Sequence, residues 1–266
     1  MTTKGIAVVT GASSGIGAVY ADRLAAQGYD LALVARSTDK LNQVADQIRS
    51  KYGRHSEILL ADLTNKSDVA RVERYLRETP GITMLINNAG LGGTGTLIES
   101  DVDAMSRMIS LNVDALMRLT YAVVPQFVAR GTGTIINIAS IVAINPEQLN
   151  GVYGGTKAFV LAFSQNLRKE LEDTDIQVQV VLPGATATDF WAVSGKPVEL
   201  LPSEIVMSSE DLVDASIVGL EQGEFVTIPA LQDAKLWNNY ETARRAMFGK
   251  LSRSVPASRY GYWLAA

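Results

Sequence analysis

The sequence predicts an α/β fold, a doubly wound parallel sheet of about seven strands with helices on both faces. Short apolar runs rich in β-branched residues alternate with longer amphipathic stretches, as expected of buried parallel strands joined by crossover helices. A length of 266 residues with 47% hydrophobic side chains is enough to bury a large core. The chain also has no internal repeat, low-complexity tract or linker, which predicts a single domain over residues 1–266.

The alternation assigns the elements in chain order. Strands are predicted near residues 5–10, 30–35, 57–61, 82–87, 133–139, 176–182 and 225–228. Helices are predicted near residues 15–27, 38–51, 67–78, 101–129, 152–172 and 209–222. A tail over residues 229–266 has a helical part up to about 253 and an aromatic end, which either packs on its own domain or lies at a subunit interface. In such a Rossmann-like sheet, ligands bind at the carboxyl ends of the strands.

Charge and composition exclude several classes of protein. The 24 basic and 28 acidic residues give a net charge of −4, the opposite of the basic excess that nucleic-acid binding requires. The absence of cysteine excludes disulfides, thiolate metal sites and cysteine nucleophiles. The single histidine, His55, is expected on the surface, and no metal site is predicted. Because neither a signal peptide nor a run of roughly 20 apolar residues is present, we expect a cytoplasmic protein without membrane partners.

A glycine-rich loop follows the first predicted strand and leads directly into the first helix. It reads Thr10-Gly11-Ala12-Ser13-Ser14-Gly15-Ile16-Gly17. Glycines at such a junction let the backbone approach a pyrophosphate, whose charge the unpaired amides of the helix N-terminus stabilise. Ser13 and Ser14 can add hydroxyl donors. An ordinary tight turn is the alternative for the glycine pattern alone, and the position after a strand favours nucleotide binding.

The residue after the second predicted strand indicates which dinucleotide would bind. The strand ends without the acidic side chain that binds the ribose 2′-hydroxyl of NAD, and Arg36 follows instead. A guanidinium can pair with the 2′-phosphate of NADP, whereas a carboxylate would repel it. Arg36 therefore favours NADP(H) over NAD(H), with a solvated surface arginine as the alternative.

Two further strand ends carry polar residues that could border a nucleotide. Asp62 and Leu63 follow the third strand, where the carboxylate could accept from an adenine amino group or serve as an ordinary loop residue. Asn88 and Gly90 follow the fourth strand, within the run Asn87-Asn88-Ala89-Gly90. Amides there either tie neighbouring strands together and border the cofactor, or form a simple turn.

Three polar residues are candidates for proton chemistry. Tyr153 and Lys157 lie four residues apart in a predicted helix, so their side chains share one face, although such pairs also arise by chance. A phenol has a pKa of about 10, and use near pH 7 requires lowering it by roughly 3, which a neighbouring ammonium favours. Ser140 follows the fifth strand at the ligand-binding edge, where its hydroxyl can donate to a substrate carbonyl oxygen.

Asn112 lies inside the long predicted helix 101–129, where helix propensity does not explain an asparagine. One interpretation is a polar residue that faces solvent. The other is that Asn112 bends the helix and holds a water molecule that relays protons.

Together these residues resemble the short-chain dehydrogenase/reductase family in its compact single-domain form. The resemblance covers about Gly5 to Thr188 and includes the glycine loop, Asn-Asn-Ala-Gly, the helical asparagine, the serine, Tyr-x-x-x-Lys and Pro-Gly. It implies that Tyr153 passes a proton to the substrate oxygen while Lys157 binds the ribose and lowers the pKa of the tyrosine. By the same resemblance, Ser140 orients the substrate carbonyl.

The resemblance also assigns the remaining positions of the site. Asn112 would take the place of the asparagine in the family's proton relay, and Pro183-Gly184 with Thr186 and Thr188 would flank the nicotinamide carboxamide. The full set of expected cofactor contacts is Gly11, Ser13, Ser14, Ile16, Gly17, Arg36, Asp62, Leu63, Asn88, Gly90, Tyr153, Lys157, Pro183, Gly184, Thr186 and Thr188.

The chain departs from the family pattern in two places. Gly154 and Gly155 stand where the family more often has alanine and serine, which should loosen that helical turn by about 1 kcal/mol per glycine. The segment over about 189–208 is unmatched and corresponds to the family's substrate lid, which varies with substrate. Within it, Phe190, Trp191 and Val193 suggest an apolar pocket wall or a contribution to the core.

The leading hypothesis is an NADP(H)-dependent oxidoreductase that transfers a hydride between nicotinamide and a carbonyl or alcohol substrate, with Tyr153 as general acid/base. One alternative is a 3-oxoacyl-(acyl-carrier-protein) reductase, for which the lid offers mainly Lys196 as a basic contact. The other is a nucleotide-sensing protein without turnover, which loss of Tyr153 or Lys157 would have favoured. The resemblance also implies a homodimer or homotetramer through the two long helices, unless the candidate contacts face the sheet: Met105, Met108, Leu116, Leu119 and Val123.

Overall fold

The structure is a computed structural model that describes residues 3–261, with the side chains of Ala192 and Val193 left out. The prediction for the Val193 side chain and the aromatic residues beyond 261 therefore lie outside the described part. The chain divides into two compact units, one up to Ala230 and one from Leu231 onward.

The first unit contains a seven-stranded sheet in the order β3-β2-β1-β4-β5-β6-β7, and all of its neighbouring strands run parallel. The doubly wound sheet predicted from the sequence is confirmed, and the predicted strands agree with the observed ones to within one or two residues. The strands are β1 (Ile6–Thr10), β2 (Asp30–Ala35), β3 (Ser56–Leu60), β4 (Ile82–Asn87), β5 (Thr132–Ile138), β6 (Asp175–Val181) and β7 (Val226–Thr227).

Helices connect the strands and cover the sheet. Several helices begin with a polar residue of the type preferred at a helix N-terminus, whose side chain accepts a hydrogen bond from a backbone amide of the helix. These residues are Ser37, Asn65, Asp101 and Asn150. The helices of the first unit are α1 (Gly15–Ala26), α2 (Thr38–Tyr52), α3 (Lys66–Glu78), α4 (Val102–Ile109), α5 (Leu116–Arg130), α6 (Gly151–Glu170), α7 (Phe190–Val193) and α8 (Ser209–Glu221).

Both faces of the inner strands are buried, which explains their nearly continuous apolar character, whereas the edge strand β3 has no fully buried residue. In the inner strand β1, Val8 and Val9 are both fully buried. Val8 belongs to the core on one face, together with Leu85 and Phe127, whereas Val9 belongs to the core on the other face, together with Leu33. Successive strand residues point to opposite faces, so each strand contributes to both cores.

The strand order reverses between β1 and β4, because the chain builds β2 and β3 on one side and then crosses to the other. The connections at the carboxyl ends of β1 and β4 therefore leave in opposite directions and open a crevice between them. The glycine loop follows β1, Asn88 follows β4, and Ser140 follows β5 by two residues. The topology thus brings the sequence-predicted residues to one edge of the sheet.

The long helix predicted over residues 101–129 is interrupted. A π-helical segment, Ser110–Ala115, separates α4 from α5, and it contains Asn112. Asn112 is buried, so the interpretation as a solvent-facing residue is wrong, and the helix is distorted at this position as the other interpretation required. A π-helical turn inside an α-helix commonly marks a functional position.

The side chains expected as subunit contacts lie in the interior instead. Met108, Leu116, Leu119 and Val123 are buried inside their own subunit, and Met105 is partly buried against the cluster around Tyr153. They face inward because α4 and α5 present their apolar stripe to the core. These five residues are therefore not available as an exposed oligomer surface.

The second unit contains one helix, α9 (Ala234–Arg245), within its described residues 231–261. Asp233 caps it by accepting from the amide of Lys235, and Glu241 pairs with Arg244 one turn later at 2.8 Å. The predicted helical part, 229–253, is longer than the observed one. From residue 246 the chain continues as turns, a bend-rich stretch and a short 3₁₀ turn.

Candidate active site

The glycine loop between β1 and α1 has the shape that an anion site needs. Gly11 and Gly15 have φ values of +67° and +54°, a region that favours glycine. A Cβ added to Gly17 would lie 2.3 Å from the carbonyl oxygen of Gly11, so any side chain there would separate α1 from the loop. Ser14 precedes α1 and accepts no hydrogen bond from it, so no capping side chain in the described chain competes for the first-turn amides. This cradle fits a pyrophosphate.

Asn88 fixes the loop from the neighbouring strand. Its side-chain amide donates to the carbonyl oxygens of Thr10 at 2.9 Å and Gly11 at 3.3 Å. In return, the Thr10 hydroxyl accepts from the amides of Asn88 at 2.9 Å and Ala89 at 3.0 Å. The Asn88 side chain thus joins the ends of β1 and β4, which is more than a simple turn would require.

A buried row of polar side chains links the strands to α6, the helix that carries Tyr153. Asn87 donates to Asn137 on β5 at 2.9 Å and to Thr120 on α5 at 3.0 Å. Asn137 donates in turn to Ser164 on α6 at 2.9 Å. Because unpaired buried polar groups are costly, these bonds define the register of α6 against the sheet.

The residues after β2 and β3 follow strands that lie on the opposite side of β1 from β4. Arg36 is exposed, and its guanidinium has no partner among the described residues. Asp62 accepts from the Thr64 amide at 2.9 Å and from its hydroxyl at 2.8 Å, which is the local turn considered as an alternative for this acid. Leu63 is buried in the core cluster beneath the loop. Within the described residues, the Arg36 guanidinium is therefore available to an anionic group.

Tyr153 and Lys157 share a buried face near the start of α6, as the spacing predicted. The Lys157 Nζ lies 5.8 Å from the centre of the Tyr153 ring and donates to the Ile138 carbonyl oxygen at 2.9 Å. Only 5% of Tyr153 and 6% of Lys157 is exposed. Ile138 ends β5, so this bond holds the ammonium against the carboxyl edge of the sheet.

Burial controls the charge of both groups. Desolvation raises the pKa of Tyr153 to about 12, against the lowering effect of a hydrogen bond with the Ser140 side chain. Desolvation also lowers the pKa of Lys157 to about 8. The expected lowering of the tyrosine pKa is thus outweighed by burial in this structure. At neutral pH the phenol keeps its proton, and the amine is mostly charged.

Ser140 lies at the turn that follows β5. It is buried, and its hydroxyl accepts from the Val142 amide at 3.4 Å and donates to the Pro183 carbonyl oxygen at 3.4 Å. The same hydroxyl lies near enough to the Tyr153 phenol to lower its pKa. The two hydroxyl groups therefore lie side by side, an arrangement that suits binding one carbonyl oxygen.

Asn112 joins the loop after β4 to α6. Its Oδ1 accepts from the Leu91 amide at 2.8 Å, while its Nδ2 donates to the Leu91 carbonyl at 2.8 Å and to Thr156 at 3.1 Å. A Cβ added to Gly90 would lie 3.4 Å from Asn112 Oδ1 and 3.6 Å from Lys157 Nζ. The asparagine, the glycine and the lysine therefore converge, and Asn112 holds the backbone that borders the ammonium.

The segment that follows Pro183-Gly184 passes beside the glycine loop. A Cβ added to Gly15 would lie 3.0 Å from Thr188 Cγ2, so Thr188 lies close to the glycine loop. The Trp191 indole donates to the Thr186 carbonyl at 2.9 Å and is buried. The Phe190 ring centre lies 5.7 Å from that of Tyr153. Phe190 therefore borders the candidate site as an apolar wall, whereas Trp191 ties the start of α7 to the Thr186 backbone.

The sequence did not predict the roles of two polar residues that organise the site. Thr10 is the acceptor that organises the loop after β4, and Asn150 caps α6 through the Val152 and Tyr153 amides. Asn150 also donates to the Gly95 carbonyl at 2.7 Å. An asparagine directly before a predicted helix is a recognisable capping signal. Nothing in the sequence around Thr10 distinguishes it from an ordinary strand residue.

Within residues 3–261, no three histidine, aspartate or glutamate side chains come together in a way that could hold a metal ion. His55 is exposed, as expected. Every helix in this described range is too short or too polar to cross a bilayer.

Comparison with known proteins assigns the fold and its chemistry to one family. A family model described as short chain dehydrogenase matches residues 5–198, which include the glycine loop, Ser140, Tyr153 and Lys157. The chain belongs to the short-chain dehydrogenase family. It is therefore an oxidoreductase, a dehydrogenase that acts on CH–OH donors, as the sequence predicted.

Two solved members of the family are similar over nearly the whole chain, and a further relative is similar over part of it. A short-chain dehydrogenase from Sphingobium yanoikuyae in complex with NADPH is 45% identical, with a TM-score of 0.93 over 96% of this chain and 99% of that one. A bulky-bulky ketone specific alcohol dehydrogenase from Comamonas testosteroni is 40% identical, with a TM-score of 0.89 over 97% and 99% of the two chains. A very-long-chain 3-oxoacyl-CoA reductase from Anas platyrhynchos is 36% identical over 71% of this chain and 62% of its own length.

Proposed function

We propose that this short-chain dehydrogenase is an NADPH-dependent enzyme that interconverts a ketone or aldehyde with the corresponding alcohol. The observation that carries the proposal is the buried group of Tyr153, Ser140 and Lys157 at the carboxyl edge of the sheet, beside the glycine loop. Two adjacent hydroxyls can bind one carbonyl oxygen, and a neighbouring ammonium can stabilise negative charge on the phenol.

Tyr153 is the proton donor in the direction of reduction. Its phenol is protonated at neutral pH because burial holds its pKa at about 12. When NADPH is bound, its nicotinamide supplies the hydride that the carbonyl carbon accepts. As that carbon becomes tetrahedral, the Tyr153 hydroxyl gives its proton to the carbonyl oxygen, and the alcohol forms. Ser140 donates a hydrogen bond to the same oxygen while negative charge develops on it.

Lys157 and Asn112 support this proton transfer. The Lys157 ammonium lies close enough to the Tyr153 ring to stabilise the phenolate that remains after the transfer. Asn112 is a positioning residue, because both of its side-chain polar atoms are occupied by Leu91 and Thr156. It orients the loop at Gly90 that faces the ammonium.

The cofactor proposal depends on the cradle formed by the glycine loop and on the guanidinium of Arg36. The residues that would hold the pyrophosphate and nicotinamide are the glycine loop, Asn88, Gly90, Lys157 and the segment Pro183–Thr188. Arg36 would pair with the 2′-phosphate, since it is exposed and its guanidinium has no partner in the described chain. The NADPH complex of the relative from Sphingobium yanoikuyae supports this choice.

Equilibrium binding of NADPH and NADH tests the cofactor proposal. We expect the wild type to prefer NADPH at least tenfold, and Arg36→Ala to remove most of that preference while leaving the NADH affinity unchanged. Lys40→Ala is the matched control, because Lys40 is a neighbouring cation that pairs with Asp189 at 3.5 Å. A wild type that prefers NADH, or a preference that survives in Arg36→Ala, would refute the assignment.

A ketone with apolar substituents is the substrate class that the site supports best. The apolar Phe190 ring lies against Tyr153, and a relative at 40% identity is named for bulky ketones. A 3-oxoacyl thioester is the second candidate, supported by the 3-oxoacyl-CoA reductase relative. Rates of NADPH oxidation with aryl ketones and with acetoacetyl-CoA distinguish the two. A larger kcat/KM for acetoacetyl-CoA would overturn the first assignment.

A homo-oligomer built on α5 and α6 is a further part of the proposal. Tyr121 and Val128 on α5 are exposed, and Tyr121 stacks on Phe163 of α6 with ring centres 6.4 Å apart. Phe163 stacks on Phe159 at 5.7 Å, which continues this apolar strip along α6. Light scattering of the wild type and of Tyr121→Glu measures the mass of the particle in solution, and so tests whether the oligomer forms through this strip. A monomeric wild type would contradict the proposal.

A further inference from the structure

The loop after β4 and the short helix α7 are in unusually close contact at Gly92. A Cβ added to Gly92 would lie 2.1 Å from Phe190 Cζ and 2.5 Å from Ser194 Oγ. Real Cβ contacts are not shorter than 3.0 Å, so the edge of the phenyl ring lies directly on the Gly92 backbone. Gly92 has no positive φ, which means that the position requires glycine for space and not for backbone conformation.

Two hydrogen bonds reinforce this contact. The Thr94 hydroxyl donates to the Ser194 carbonyl at 2.9 Å, and the Ser194 hydroxyl donates to the Phe190 carbonyl at 2.6 Å. Ser194 is buried. The loop 92–94 thus holds both ends of the turn that carries Phe190.

The consequence reaches the proton donor. The Phe190 ring that lies on Gly92 also contacts the Tyr153 ring, with centres 5.7 Å apart and planes inclined by 48°. Phe190 and Tyr153 belong to one apolar cluster with Met108 and Val142. The position of the wall beside the reacting hydroxyl is therefore fixed by the absence of a side chain at residue 92.

We propose that Gly92 is a specificity-determining residue, which sets the size of ketone substituent accepted beside Tyr153 by fixing the position of the Phe190 ring. This inference rests on the ketone reductase activity proposed above. Gly92 is a positioning residue that acts through Phe190. A methyl group at position 92 displaces the ring, and the space beside the Tyr153 hydroxyl becomes smaller for bulky substituents.

The effect should appear in substrate selection and not in the chemical step. The three atoms nearest to a Cβ added at Gly92 belong to Phe190 and Ser194, so the hydrogen bonds of Tyr153, Ser140 and Lys157 should stay intact in Gly92→Ala. We expect KM for a bulky ketone to rise while kcat for a small ketone changes less than twofold. The affinity for NADPH should also change less than twofold.

The test compares acetophenone with benzophenone, in which phenyl replaces methyl. Gly92→Ala should lower the ratio of kcat/KM for benzophenone to that for acetophenone at least tenfold. Gly93→Ala is the matched control, because its Cβ would meet the flexible end of Met108 at 3.1 Å and Asn150 at 3.6 Å. It should change the ratio less than twofold.

A double substitution shows whether Gly92 acts through the ring. In the Phe190→Ala background, adding Gly92→Ala should change the ratio less than twofold, because no ring remains to be displaced and the Ser194 hydroxyl can rotate away from the added methyl group. Thr94→Val removes the hydrogen bond from the Thr94 hydroxyl to the Ser194 carbonyl. It should also lower the ratio, in the same direction as Gly92→Ala. NADPH affinity and thermal unfolding establish that each variant is folded.

The outcomes separate this inference from the proposed function. A wild type that reduces ketones, combined with a folded Gly92→Ala of unchanged ratio, overturns the inference alone. An equal effect of Gly92→Ala on the ratio with and without the Phe190 ring also overturns the inference alone. A wild type that oxidises NADPH with neither ketone overturns the proposed function and this role of Gly92 together.

Discussion

Replacing Lys157 with methionine should stabilise the protein while removing its activity. Lys157 is almost fully buried, and desolvation lowers its pKa from 10.5 to about 8. That difference corresponds to about 3 kcal/mol of destabilisation when the amine is protonated in both the folded and unfolded states. The hydrogen bond to the Ile138 carbonyl offsets about 1 kcal/mol of it. Methionine has a similar length and no charge, so Lys157→Met should gain about 2 kcal/mol at pH 7.

The sign of the pH dependence follows from the direction of the pKa change. Between about pH 8 and 10.5 the unfolded state binds more protons at Lys157 than the folded state does, so wild-type stability rises with pH in that window. The advantage of the methionine variant should therefore shrink from about 2 kcal/mol at pH 7 to about zero at pH 10. The raised pKa of Tyr153 acts in the opposite direction, but only above pH 10.

Urea unfolding of the cofactor-free protein between pH 7 and pH 10 measures this difference. Lys169→Met is the matched control, since Lys169 lies on the exposed side of the same helix, and its effect should stay below about 0.5 kcal/mol. A Lys157→Met variant less stable than wild type at pH 7 would refute the reasoning. So would a stability difference that does not change with pH.

Two further substitutions test the packing around the site. Gly155→Ala should stabilise the protein by about 1 kcal/mol in thermal unfolding, because this exposed helical position has nothing within 4 Å of an added Cβ. Gly154→Ala should gain less, since its Cβ would lie 3.1 Å from Pro146, and equal gains at both positions would contradict the packing argument. Asn112→Ala removes three hydrogen bonds of a buried side chain and should lower the free energy of unfolding by about 2–4 kcal/mol. A loss below 1 kcal/mol would mean that Asn112 does not hold the loop.

The fold was largely predictable because its strands are buried on both faces. Runs such as the one that forms β1 have no room for charged residues, so they stand out from the amphipathic helices. The boundaries of α1, α2 and α8 follow from capping and breaking residues within one or two positions. The interruption at Asn112 was one of two interpretations of a poor helix former inside a helix that was predicted to run unbroken over 101–129.

Side-chain environment was not predictable to the same degree. Periodicity identifies an apolar stripe on α5 but not whether it meets the sheet or a second subunit, and Leu119 and Val123 proved to be core residues. The spacing of Tyr153 and Lys157 indicated an ammonium beside a phenol, yet the balance between that charge and burial depends on the surroundings. The contact between Gly92 and Phe190 joins residues almost 100 positions apart, and no local pattern announces it.

The most direct test of the catalytic assignment is NADPH oxidation with acetophenone by Tyr153→Phe, which removes only the phenolic hydroxyl. The phenyl ring of the variant keeps the contact with Phe190, so the site should stay folded. We expect kcat to fall by roughly 10²–10⁴ while the affinity for NADPH changes less than threefold. A variant that keeps more than a tenth of the wild-type kcat would show that the proton comes from another group.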